Sequence, residues 1–65
     1  MATFAEGIRE LAQKKNVSLQ EIARIASRGD AGERAQLDRA TKMAFGGGIP
    51  MRDALRHAGL IEEGS

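Results

Sequence analysis

Residues 17–26 read VSLQEIARIA, and their pattern decides the fold class. Ser18 followed by Glu21 has the spacing of a capping box. The hydroxyl accepts from the backbone N–H three residues on, and the carboxylate reaches back to the first N–H. Val17, just ahead of the cap, is placed to pack on Ile22 as a hydrophobic staple. After the cap, Leu19, Ile22, Ala23, Ile25 and Ala26 leave only Gln20, Glu21 and Arg24 polar. A helix apolar over more than half its circumference belongs among neighbours on several sides. This one, over residues 19–28, is expected at the centre of an all-α bundle.

Further caps extend the reading in both directions. Thr3 with Glu6 spells a second box, ahead of a helix over 4–15 in which Phe4, Ile8, Leu11 and Ala12 share a face. Gly7 costs that helix about 1 kcal/mol against alanine, which a close crossing by another helix would explain. Lys14 and Lys15 suit the negative end of the helix dipole, and Asn16 suits a left-handed cap. Downstream, Gly29 is placed to end the central helix. Asp30 with Glu33 starts a third helix over 31–45, striped by Leu37, Ala40, Thr41 and Ala44. Arg34 with Asp38, and Asp38 with Lys42, are opposite charges four apart. Gly46–Gly47–Gly48 reads as a helix break and hinge. Pro50, at a first helical position where its missing N–H costs nothing, opens a short fourth helix over 50–58. Gly59 closes it, with Leu60 placed for the apolar contact of a Schellman cap, and Glu62–Ser65 read as a frayed end. With no alternating strand pattern, the expectation is a single helical domain over 1–65: three capped helices plus a short C-terminal fourth.

Composition narrows what such a domain does. A chain of 65 residues buries only about 60% of its unfolded surface, so a lone core is marginal. Cysteine is absent and His57 is the only histidine, which removes disulfides and the thiolate or imidazole metal sites. No metal or cofactor is expected. Self-association, or a larger protein partner, is the remaining source of stability. Ten basic residues face nine acidic ones, a balance that argues neither for a strong nucleic-acid footprint nor for an acidic mimic. MATFAEGIRE has no leader pattern and no apolar run approaches a membrane span, so a cytoplasmic location is expected.

VSLQEIARIA resembles the first helix of the helix-turn-helix motif, with a polar cap and an inward alanine at Ala23. That resemblance covers about ten residues before the pattern departs. With Ala23 in the motif's alanine position, Ser27 stands where glycine is usual, and Arg28, Glu33 and Gln36 stand where apolar residues hold the second helix down. Moving the turn to Gly29 leaves Asp38 at an apolar site. GGGIPMRDALRHAGL loosely resembles the closing helix of phage-repressor-like domains, after a stretch too long for that pattern. The resemblance implies a dimeric DNA-binding regulator with Arg24, Arg28, Arg34, Arg39 and Lys42 on phosphates. The interleaved acids Asp30, Glu33 and Asp38 favour a solvated, salt-bridged face instead.

Other chemistries find little to work with. The three glycines are followed by Ile49 and Pro50, where a phosphate-binding loop needs Lys and then Ser or Thr. Asp53 lies four before His57, but an acid–histidine pair without a nucleophile makes no triad. Arg28–Gly29–Asp30 is more simply a helix end and a helix cap than an adhesion tripeptide. The reading is therefore a small non-enzymatic binding or regulatory protein. It works through protein–protein contact and associates with itself, and Met43, Phe45, Ile49 and Met51 are the candidate contact residues because they lie off the core stripes.

Overall fold

Polar side chains start three of the four helices. In the computed structural model, which describes residues 3–62, these are α1 (Phe4–Gln13), α2 (Leu19–Ala26), α3 (Ala31–Gly47) and α4 (Met51–His57). The protein is an all-α bundle, with no strand among the described residues. Thr3 Oγ1 accepts from the Glu6 N–H at 3.2 Å and Ser18 Oγ from the Glu21 N–H at 3.2 Å. Asp30 Oδ1 accepts from the Glu33 N–H at 2.8 Å, and Glu33 Oε1 returns to the Asp30 N–H at 2.9 Å. Only this third pair closes the reciprocal box. The Thr3 hydroxyl donates to its Glu6 carboxylate at 3.3 Å, and the Glu21 carboxylate turns away to Lys14 across the α1–α2 connection.

The helix ends differ from expectation in instructive ways. α1 and α2 each stop two residues early. Lys14 is already extended (φ −80°, ψ 141°), and Asn16 is not left-handed, since only Gly48 and Gly59 have positive φ among the described residues. α2 closes in a tight turn, with Arg28 N–H on Ile25 O at 3.0 Å and Gly29 N–H on Ala26 O at 3.1 Å. Gly29 serves there by its lack of a side chain, because a Cβ would lie 2.7 Å from Phe4 Cδ1. α3 runs through Gly46 and Gly47, two residues past its expected end. Continuing hydrogen bonds outweigh a propensity cost of about 1 kcal/mol per glycine. The break comes at Gly48 alone (φ 70°). Pro50 is the residue before α4 rather than its first residue. The far end is the expected Schellman cap: Gly59 (φ 80°) donates to Arg56 O at 3.0 Å, and Leu60 donates to Leu55 O at 2.9 Å while packing half-buried on the core. Of the expected frayed end, residues 63–65 lie outside the described residues.

The buried core is Phe4, Ile8 and Leu11 of α1, Ile22 and Ile25 of α2, Leu37 and Ala40 of α3, and Ala54, Leu55 and Ala58 in and after α4. α2 and α4 each pack against both α1 and α3, and they do not reach each other. α2 thus has the neighbours on two sides expected of it, but α4 is the more deeply buried of the two, with Ala54 and Leu55 fully buried. Leu19 is 59% exposed and Ala23 is exposed, so the inward alanine of the helix-turn-helix resemblance points outward. Alanine is nearly indifferent to exposure, and a helix rich in it looks more apolar around its girth than its packing requires. In α4 the small Ala54 is fully buried beside Leu55, and small side chains let a helix sit deep between two neighbours. Among the described residues, no helix is long and apolar enough to cross a membrane.

Candidate functional site

The chain reversal between α3 and α4 gathers apolar side chains at one end of the molecule. Gly48 turns the backbone left-handed and Pro50 holds an extended ψ of 139°, so the last turn of α3 and the first of α4 flank one groove. Ala44, Phe45, Ile49, Pro50 and Met51 line it, and Lys15, Asn16 and Val17 of the α1–α2 connection close its third side. The groove holds about 280 Å³. Val17, Ala44, Ile49 and Met51 are half-buried, each packed on the core below. Phe45 is 50% exposed. It and Leu19, two residues along from Val17, are the large apolar side chains left exposed among the described residues.

Three of the four expected contact residues thus come together. Met43 does not line the groove. Its side chain packs half-buried against the core, and its carbonyl accepts from the Ile49 N–H at 3.2 Å. Val17 and Ala44 belong to the groove although their sequence context assigned them to a staple and to the α3 stripe. The signal for Val17 was there, since an apolar residue in a short polar connection has to cover something.

The basic residues Arg24, Arg28, Arg34, Arg39 and Lys42 are all exposed. Lys42 pairs with Asp38 at 3.2 Å as expected. Arg34 turns instead to the preceding loop, its Nε donating to Gly29 O at 3.2 Å. The turn between α2 and α3 spans residues 27–30, with Ser27 right-handed (φ −64°, ψ −16°) and no left-handed glycine. At the other end of α2, the Lys14 ammonium hydrogen-bonded to Glu21 holds that carboxyl below the ordinary carboxylate value. Burial opposes the effect, and the charges of Lys14 and then Arg24 add to it.

Asp53 pairs with Arg56 at 3.6 Å, and His57 is exposed on the last turn of α4. No group of three or more His, Asp or Glu side chains that could hold a metal ion occurs among the described residues. A wider cleft of about 530 Å³ lies between α1, α3 and the segment after α4, with Phe4, Ile8, Leu60 and Ile61 as apolar walls and Arg9 and Glu33 at its edge. Glu33 is already committed to the Asp30 cap there. Compared with known proteins, the chain matches no family model, no curated protein and no solved structure.

Proposed function

We propose that this chain is a small non-enzymatic binding and regulatory module that works through protein–protein contact, with a second copy of itself as its first partner. The observation that carries this reading is the groove at the α3–α4 reversal, where Phe45 stands half out of an apolar lining of Val17, Ala44, Ile49 and Met51. Fully burying a phenylalanine is worth about 1.5–3 kcal/mol, so two copies covering each other's Phe45 gain enough to matter for a marginal core. Sedimentation at micromolar concentration tests it. Self-association that is lost in Phe45→Ser and Met51→Ser, with helix content kept, supports the reading. A wild-type chain that stays monomeric and unfolds at a midpoint independent of concentration refutes it.

A second reading, a dimeric DNA-binding regulator, draws on the exposure of all five cations on and beside the two-helix unit α2–α3. Duplex DNA titrated at two salt concentrations distinguishes the two. A slope of about −0.9 in log K against log salt per neutralised phosphate, lost on changing Arg34 and Arg39 to alanine, would favour DNA binding over the groove.

A further inference from the structure

All of the burial contributed by α4 is delivered across a single connection, residues 48–50. Apart from Ile49, which packs half-buried on the core, that connection is exposed and is held by its backbone geometry. A Cβ on Gly46 or Gly48 would meet nothing within 4 Å, and one on Gly47 would touch only Ile49 Cγ1 at 4.0 Å. Yet the helix beyond it packs, like α2, on both α1 and α3, and it is the more deeply wedged of the two, with Ala54 and Leu55 fully buried.

We propose that two copies of this chain exchange α4, the connection Gly48–Pro50 opening so that each α4 fills the slot between α1 and α3 of the other copy. The slot's occupant follows from the structure itself, since it receives the same Ala54, Leu55 and Ala58 in either form and keeps every core contact. The closed chain and the exchanged pair differ only in the connection. Opening it removes the left-handed turn at Gly48 and gives up the hydrogen bond from Ile49 N–H to Met43 O. Pro50 forbids α3 and α4 from fusing into one straight helix, because it lacks an N–H and clashes with the carbonyl four residues back. The opened segment is therefore extended or kinked.

In a two-fold pair the opened segments run past one another at the axis, and the side chains flanking each segment meet their mates. Those side chains are Phe45 before the turn and Ile49 and Met51 after it, the same residues that line the groove. Their burial is the one apolar gain the pair has over two closed chains. A net charge of +1 per chain adds little repulsion. The inference rests on the contact role proposed for the groove and specifies its partner and its mode.

The test compares the full chain with Gly48→Val, Gly48→Ala and a version whose connection is lengthened by glycine and serine after Gly48. Helix content is checked in each by circular dichroism, and mass by sedimentation over a range of concentrations. A left-handed backbone strains the closed form and not the open one. Gly48→Val should therefore raise the dimerisation constant on the order of tenfold per connection, a hundredfold for the pair, and Gly48→Ala should move it the same way. The lengthened chain, with its apolar groove residues unchanged, should be monomeric, because a longer connection lets α4 fold home. If both Gly48 variants leave the constant unchanged or lower it, or the lengthened chain dimerises like the wild type, exchange is overturned and association through the surface alone remains. Monomers in every version at every concentration overturn both. If Gly48→Val loses its helix signal, Gly48→Ala and the lengthened chain decide.

Discussion

A methyl group added at Gly7 should destabilise the protein, against the usual gain from alanine in a helix. Gly7 is buried in the second turn of α1, where α2 crosses it. A Cβ there would lie 2.7 Å from Ile25 Cγ2, 2.8 Å from Cγ1 and 3.3 Å from Cβ. Carbon atoms prefer about 3.5–4.0 Å. Ile25 is only 4% exposed, and a β-branched side chain in a helix has one strongly preferred χ1 rotamer, so it has nowhere to turn. The two helices must separate, at an overpacking cost of about 1–3 kcal/mol. Alanine's propensity returns about 1 kcal/mol of that. The expected net loss for Gly7→Ala is up to about 2 kcal/mol. A double-mutant cycle sharpens the test. Ile25→Ala alone should cost about 2–5 kcal/mol. In the Gly7→Ala background the same change relieves the clash, and the new methyl fills part of the void, so its cost should shrink by at least about 1 kcal/mol. Urea unfolding followed by circular dichroism at fixed protomer concentration measures all four corners. A stabilised Gly7→Ala, or strict additivity of the two changes, would show that α1 and α2 do not approach as closely as described.

Other perturbations probe the remaining joints. Leu55→Ala, in the wedge, should cost about 3–5 kcal/mol, a large part of the roughly 3–10 kcal/mol available to a chain of this length, and should exceed Ile22→Ala on α2; equal losses by urea unfolding would count against α4 as the more deeply buried helix. Gly46→Ala and Gly47→Ala should be neutral or gain up to about 1 kcal/mol each, whereas Gly59→Ala, at φ 80°, should lose about 1–2 kcal/mol, the order reversing if the helix end lies elsewhere. The Glu21 carboxyl titrates below its ordinary value in the folded chain, so its tie to Lys14 contributes fully above the ordinary carboxylate range and is lost as pH falls through the lowered value. Glu21→Gln should accordingly be less stable than wild type at neutral pH, with the gap in urea midpoints closing on acidification; a gap that widens toward acid would disprove it.

What could be read from the sequence was local, and what could not was a matter of which helix meets which. Thr3, Ser18 and Asp30 announce helix starts because a short polar side chain satisfies one of the four orphan N–H groups there. Gly59 with Leu60 announces a stop for the mirror reason. Gly46 and Gly47 misled because glycine permits a break without imposing one, and the hydrogen bonds of α3 carry on until Gly48. α2 misled more deeply. Its apolar periodicity says that some face is buried, but two isoleucines suffice for that, and Leu19 and Ala23 are left on the surface. The seven-residue α4 has too little length for a persuasive pattern, yet its Ala54 and Leu55 are fully buried. The groove shows the same division. Phe45, Ile49 and Met51 stood out as apolar residues off the core stripes, while Val17, whose burial the sequence signals, reaches them because the α1–α2 connection passes the end of α3.

That α1 and α3 are bridged by a helix later in the chain than either has a consequence for how the protein is made. Synthesis releases the N-terminus first, and 38 positions separate Gln13 from Met51. At about 5–20 residues per second, α1 exists for roughly 2–8 seconds before the helix that covers it begins to appear. During that interval Phe4, Ile8 and Leu11 have α2, Gly29 and the start of α3 near them but lack α4. Neighbouring ribosomes on one message hold several such unfinished chains side by side. Under the proposed exchange, a nascent chain paused before residue 51 would present an open slot to any finished α4 nearby, and copies would first meet where they are made.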